Sequence, residues 1–190
     1  MYLRNEMDPW YMVAFVLTGD AGRYHRSLTK KLSARFHVPP YYEHIPPHIT
    51  FVPPFTVGDM DTLTPLLKET VTKHKSHKII VGGAIGSFND RVIYLHVEAP
   101  EASKHLATAL AQVLKPVTIP QDRHHAAFSP HATLAHKRFL GTHFYNMMEY
   151  LRTLPIESFD SSVDKLSLLV HSPHTRSWRV VMDFPLKGKN

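Results

Sequence analysis

The chain carries two short segments of one design, "PPHITF" at 46–51 and "SPHATL" at 129–134. Each sets a histidine two residues before a threonine, directly after a proline and inside an apolar run. Pro47 and Pro130 favour an extended chain ahead of them. In an extended strand, side chains at i and i+2 share a face. His48 is therefore expected to project with Thr50, and His131 with Thr133. Two imidazoles and two hydroxyls facing one cleft suit phosphate ester chemistry. One imidazole can take a proton while the other gives one, and the hydroxyls can hold phosphate oxygens.

The bare motif is short, and the chain holds 15 histidines, so context carries the signal. Ile49, Phe51 and Val52 follow one histidine, and Ala132 and Leu134 follow the other. The looser pairs His25-x-Ser27 and His74-x-Ser76 lack this setting. The segments downstream also correspond. After the first motif comes a turn signal at "PPFTVGD", a helical pattern at "TLTPLLKETVTKHK", then the strand patterns "KIIVGGAIGSF" and "RVIYLHVEA". After the second come "KRFLGT", the helical "HFYNMMEYLRTL", then "IESFDSS", "DKLSLLVHS" and "RSWRVVMDF". Both read strand, helix, strand, strand, which predicts a duplicated unit with one His-x-Thr per half. Two such halves packed face to face would share a cleft.

The segments "PHITFVPPF" and "SPHATLAHK" resemble the paired signatures of the 2H phosphoesterase superfamily, which includes the 2'-5' RNA ligase-like proteins and the RNA 2',3'-cyclic phosphodiesterases. The resemblance runs from the first strand near Trp10 to the last near Phe184. It implies an α+β, bilobal fold. Two pseudo-symmetric lobes of antiparallel sheet would carry helices outside and the motif strands, near 48–55 and 131–137, at a central cleft. It also implies metal-independent cleavage of a phosphodiester, with His48 and His131 as acid and base and Thr50 and Thr133 as phosphate ligands. For opening a 2',3'-cyclic phosphate to a 2'-phosphate it suggests His48 as acid and His131 as base. The residues alone do not assign the two roles, and the roles swap in the ligation direction.

The loops ahead of the motifs offer further contacts. One carries Tyr41, Tyr42 and His44; the other carries Arg123, His124, His125 and Phe128. Aromatics beside a phosphate site can stack on a base, and arginine can pair with phosphate oxygens. By proximity, Tyr42 and Phe128 are the stacking candidates and Arg123 the arginine candidate.

A metal centre is the rival for a histidine-rich chain, since His124, His125, His131 and His136 fall close together. No His-Glu-x-x-His, cysteine pair or acidic cluster accompanies them, and threonine is a poor zinc ligand. No metal or cofactor is expected. The alternatives are a nucleotide- or RNA-binding module of the same fold without turnover, and a metal-dependent hydrolase.

At 190 residues the chain fits one domain, 1–190, with room for a substantial core. It has no cysteine, which rules out disulfides and thiol catalysis. The run "YMVAFVLT" is too short to span a membrane and lacks signal-peptide flanks. The expectation is a cytoplasmic protein, monomeric by default, without a membrane partner. The net charge is +6 and the pI about 9.5, which suits a polyanion such as RNA or a small nucleotide. Lys30-Lys31 and Lys73-His74-Lys75 fall in helical patterns and read as solvated faces. A first helix is expected over "DAGRYHRSLTKKLSARFHV", with Asp20 as N-cap and Leu28, Leu32 and Phe36 on its buried face. Another is expected over "PEASKHLATALAQVLKP", bounded by Pro100 and Pro116.

Overall fold

The computed structural model describes residues 9–120, 127–137 and 142–188. The apolar run WYMVAFV forms β1 (Trp10–Val16), buried on both faces from Met12 to Phe15. In α1 (Gly19–Phe36), Ala21, His25, Leu28 and Leu32 recur at helical spacing and are all buried. Phe36 is partly buried against the same core. The N-cap position belongs to Thr18, not Asp20. Asp20 sits in the first turn and pairs with Arg23, where a carboxylate still complements the helix dipole.

The proline-rich segment ahead of the first motif holds a single helical turn, α2 (Tyr41–His44), where the sequence reads as loop. Extended Pro40 and Ile45 bound it. Next, β2 (His48–Val57) runs through the expected turn at Pro53-Pro54. Its register against β1 shifts from Val13↔Val52 to Tyr11↔Phe55. The prolines, which have no N–H to give a ladder, sit in that bulge. In α3 (Met60–Thr72), the Asp59 carboxylate caps the helix by accepting from the N–H groups of Asp61 and Thr62 at 2.9 and 3.2 Å.

The remaining elements are β3 (His77–Phe88), β4 (Val92–Glu98), α4 (Glu101–Leu114), β5 (Thr118–Pro120), β6 (His131–His136), α5 (Phe144–Arg152), β7 (Ser158–Val163), β8 (Lys165–Ser172) and β9 (Ser177–Pro185). Pro100 does precede α4, as its N-cap. The short β5 lies in a stretch that reads as loop; it forms because Thr118, Ile119 and Pro120 pair with the far end of β2.

Among the described residues the strands form two antiparallel sheets, ordered β5-β2-β1-β8-β9 and β6-β4-β3-β7. The architecture is α+β and bilobal. The two segments interleave. The strands that follow β2 in sequence, β3 and β4, lie in the other sheet beside β6. Those that end the chain, β8 and β9, return to the sheet of β2.

One continuous core joins both sheets. It takes Val13, Phe15, Ile49 and Phe51 from the first, Ile93, Leu95 and Leu134 from the second, and Leu28, Leu106 and Leu151 from the helices. Burying each such side chain contributes about 1.5–3 kcal/mol. A smaller cluster, Met12, Ala14, Ile45 and Leu169, covers the opposite face of the first sheet, with Val16, Tyr41 and Trp178 packed on it. Strand alternation makes this division: Val13 and Phe15 point to the main core, while Met12 and Ala14 point to the face shared with the first motif.

Candidate active site

Each motif opens a strand. In β6, buried Ala132 and Leu134 alternate with half-buried His131 and Thr133. In β2, Thr50 is half-buried and His48 is 7% exposed. His48 and Thr50 pair with Val16 and Ala14 of β1. His131 and Thr133 pair with His96 and Tyr94 of β4. Strands β2 and β6 contact one another although they belong to different sheets.

The two histidines are held alike. His48 Nδ1 bonds the carbonyl of Pro46 at 2.9 Å, and His131 Nδ1 bonds the carbonyl of Ser129 at 2.8 Å. Both partners lie two residues upstream. A carbonyl only accepts, so Nδ1 carries the proton in each ring. Nε2 is then the basic nitrogen of the neutral imidazole.

Burial pushes the His48 pKa down from 6.5 to about 4; the Pro46 carbonyl opposes this and the charge of a protonated His131 adds to it. His131 is also lowered by burial, against the pull of the Ser129 carbonyl. Without an anion in the site, both rings are neutral at pH 7. A bound phosphate would favour the charged form and supply the missing proton affinity.

Behind the motifs, His25 of α1 donates from Nε2 to the Thr133 carbonyl at 2.8 Å. Its Nδ1 is buried and has no hydrogen-bond partner among the described residues. Burial lowers its pKa to about 4, with the Thr133 carbonyl opposing and the charges of His48 and Arg26 adding. A stability prediction follows. Between pH 6.5 and about 4 the unfolded chain binds protons at His25 and His48 that the folded chain refuses. Stability is complete above pH 6.5 and falls as the pH drops through this window. Each ring accounts for roughly 3 kcal/mol. Thermal melts at about pH 7.5, above this window, and about pH 4.5, near its lower end, should show a smaller drop in Tm for His25→Gln and His48→Gln than for the unsubstituted protein. An equal drop in all three would refute the assignment.

Tyr41 reaches the site from α2. Its ring packs on the Met12, Ala14 and Leu169 cluster of the first sheet, and α2 contacts β6 of the second. Beside His131 stand two more rings, Phe88 edge-on at 4.8 Å and Tyr94 at 5.3 Å; they contact each other at 4.6 Å. Phe88 is 36% exposed. It ends β3 just before the turn residue Asn89, which adopts φ 51°, a conformation asparagine tolerates. Tyr94 lies flat across Gly86, where an added Cβ would stand 2.5 Å from the ring. Only glycine leaves that space.

The loop candidates go elsewhere. Tyr42 sits under Lys30 Nζ, 5.4 Å from its ring centre. Phe128 packs on Phe51 at 5.1 Å, against the main core. Arg123 lies outside the described residues, as do His124 and His125. Sequence proximity thus pointed to Tyr42 and Phe128, while the rings beside His131 are Phe88 and Tyr94. No local signal marks those two, because cross-strand pairing brings them there, Tyr94 by the pairing of β4 with β6 and Phe88 by the pairing of β3 with β4. Among the described residues, no group of three or more His, Asp or Glu side chains is placed to hold a metal. No helix there is long and apolar enough to cross a membrane.

Paired His-x-Thr strands, one from each of two antiparallel sheets, define the class as the 2H phosphoesterases. The profile of the 2'-5' RNA ligase superfamily matches residues 22–175, and the chain belongs to that superfamily. Its fold is shared with TT0787 of Thermus thermophilus, at 18% identity and a TM-score of 0.65 over 95% of this chain and 100% of that one. It is shared also with E. coli LigT complexed with 3'-AMP, at 18% identity and 0.60 over 94% and 98%. No curated protein matches the sequence. Membership supports enzyme activity of the phosphodiesterase or RNA ligase-like kind.

Proposed function

We propose that the protein is a metal-independent phosphodiesterase acting on 2',3'-cyclic phosphate RNA ends or on small cyclic or 2'-5'-linked nucleotides. The observation that carries this reading is the matched pair of histidines. Both rings commit Nδ1 to a carbonyl two residues upstream and keep Nε2 for chemistry.

In the reaction, one neutral imidazole takes a proton from water through Nε2 as the water oxygen attacks phosphorus. The bond from phosphorus to the ribose 3' oxygen breaks. The other ring, protonated once the anion is bound, gives its Nε2 proton to that oxygen. The product is a 2'-phosphate, and the two rings have exchanged protonation states. Thr50 and Thr133 donate to the non-bridging oxygens as charge builds. Ligation of a cyclic end follows the same course with a 5' hydroxyl in place of water, forming the 2'-5' bond as the bond to the 3' oxygen breaks; the two rings exchange roles in the reverse cleavage of a 2'-5' linkage, where the 3' hydroxyl attacks.

Phe88 and Tyr94 supply the apolar wall for the nucleoside. Base-on-aromatic stacking contributes about 1–3 kcal/mol. Phe88→Ala should therefore raise KM for nucleotide substrates by roughly ten-fold with a smaller change in kcat. An unchanged KM would remove Phe88 from the site. The crystallised complexes of LigT with 3'-AMP and with phosphate support a nucleotide-sized ligand.

The deciding experiment assays the pure protein against a 2',3'-cyclic nucleotide, an RNA with a cyclic end and a 2'-5' dinucleotide, with and without chelator. Threonine beside each histidine favours a phosphate over a metal, so turnover should survive chelation. Activity lost to chelator and restored by zinc or manganese would establish the metal-dependent alternative. Binding of all three without turnover would establish a nucleotide-binding module.

A further inference from the structure

We propose that His25 is a positioning residue: its Nε2–H pins the carbonyl of Thr133 at 2.8 Å and so fixes the aim of that residue's hydroxyl. The inference rests on the reading of Thr133 as a phosphate ligand and goes beyond it. Strand β6 bulges at this point. Tyr94 faces Thr133 and Ile93 faces Ala135, so Leu134 is the extra residue. Leu134 and Ala135 are both buried, which breaks the alternation that holds from His131 to Leu134. The first motif has the same build. Ala14 faces Thr50 and Val13 faces Val52, so Phe51 is extra there. Each motif threonine thus stands directly before a bulge, a device that bends the strand and re-aims a side chain.

A bulge also interrupts the ladder, and among the described residues β6 is an edge of its sheet. Rotation about ψ of Thr133 turns its carbonyl and its side chain relative to one another, so holding the oxygen helps to hold Cβ. Helix α1 lies against β6, and His25 supplies that hold where the ladder is interrupted. The make-up of α1 shows that packing alone does not account for the histidine. Its neighbours on the buried stripe are Ala21, Leu28 and Leu32, and His25 is itself 1% exposed. With the proton on Nε2, Nδ1 is a buried acceptor, and it has no hydrogen-bond partner among the described residues. Such an acceptor costs stability. The helix carries that cost at the one position from which its side chain reaches Thr133.

The test compares His25→Leu with His25→Gln, each alone and with Thr133→Val, read as kcat, KM and Tm with a 2',3'-cyclic nucleotide and with His48→Asn as control. Leucine removes the donor. Glutamine places an amide N–H near the position of Nε2 and keeps the bond. His25→Leu should lower kcat about three- to ten-fold, the size of one neutral hydrogen bond, with KM little changed, and His25→Gln should restore most of the loss. In the Thr133→Val background His25→Leu should have no further effect on kcat. An equal loss in both backgrounds, a glutamine variant as impaired as the leucine one, or a loss only in Tm would overturn the proposal. If His25→Leu does not fold, His25→Asn, polar but too short to reach the carbonyl, takes its place; failure of both to fold would make the residue purely structural and overturn the proposal too. If no His48-dependent turnover were found, the catalytic reading itself would fail. The cycle is then read on the affinity for inorganic phosphate, where coupling between the two positions supports the positioning role and additivity overturns it.

Discussion

Alanine at His48 or at His131 is expected to lower kcat for phosphodiester cleavage by about 10²–10⁴, the range for loss of a general acid or base. The two losses should not multiply. Once either ring is gone, the proton cycle is broken, and the double variant should sit close to the worse single one. His48 is buried, so His48→Ala leaves a void and can disturb β2. His48→Asn separates chemistry from packing: it keeps an N–H near the position of Nδ1, facing the Pro46 carbonyl, and removes Nε2. Asparagine should therefore hold the fold and still lose turnover. His131 is half-buried, so alanine there should fold well. Near-normal kcat in His48→Asn or His131→Ala, measured at saturating 2',3'-cyclic nucleotide, would rule out the two-histidine mechanism.

Valine at Thr50 or Thr133 keeps the β-branched shape of a strand residue and removes the hydroxyl. A donor aimed at charge that develops in the transition state is worth about 2.7–4 kcal/mol, or roughly 10²–10³ in rate. The loss should fall on kcat more than on KM, because the hydrogen bond strengthens as negative charge builds. If the hydroxyls served only local structure, the valine variants would instead show lowered Tm with little change in kcat. Measuring both quantities on both variants separates these outcomes.

Much of the site was legible along the chain because its parts are local. A histidine and a threonine at i and i+2 share a face wherever the backbone is extended, and β2 and β6 are extended. The stripe of Leu28, Leu32 and Phe36 announced α1 for the same reason: about 3.6 residues per turn is a property of the helical backbone. What the sequence misplaced depended on partners far away. Pro53-Pro54 reads as a turn, yet β1 carries β2 past it by absorbing a bulge. Thr118–Pro120 reads as loop, yet pairing with β2 makes it a strand. Asp20 and Thr18 are both capping residue types, and only the path of β1 into α1 chose between them.

The amino-acid sequence by itself determined the two His-x-Thr strands, the alternation of helix and strand after each, and the residue types on which the proposed chemistry rests. The tertiary structure decided which sheet each strand joined, and so which side chains surround the histidines. Strand pairing is set by contacts between segments far apart in the chain, and side-chain period alone does not name the neighbour. That is why Tyr42 and Phe128, near in sequence, lie against Lys30 and Phe51, while Phe88, Tyr94, Tyr41 and His25 close around His131 and Thr133.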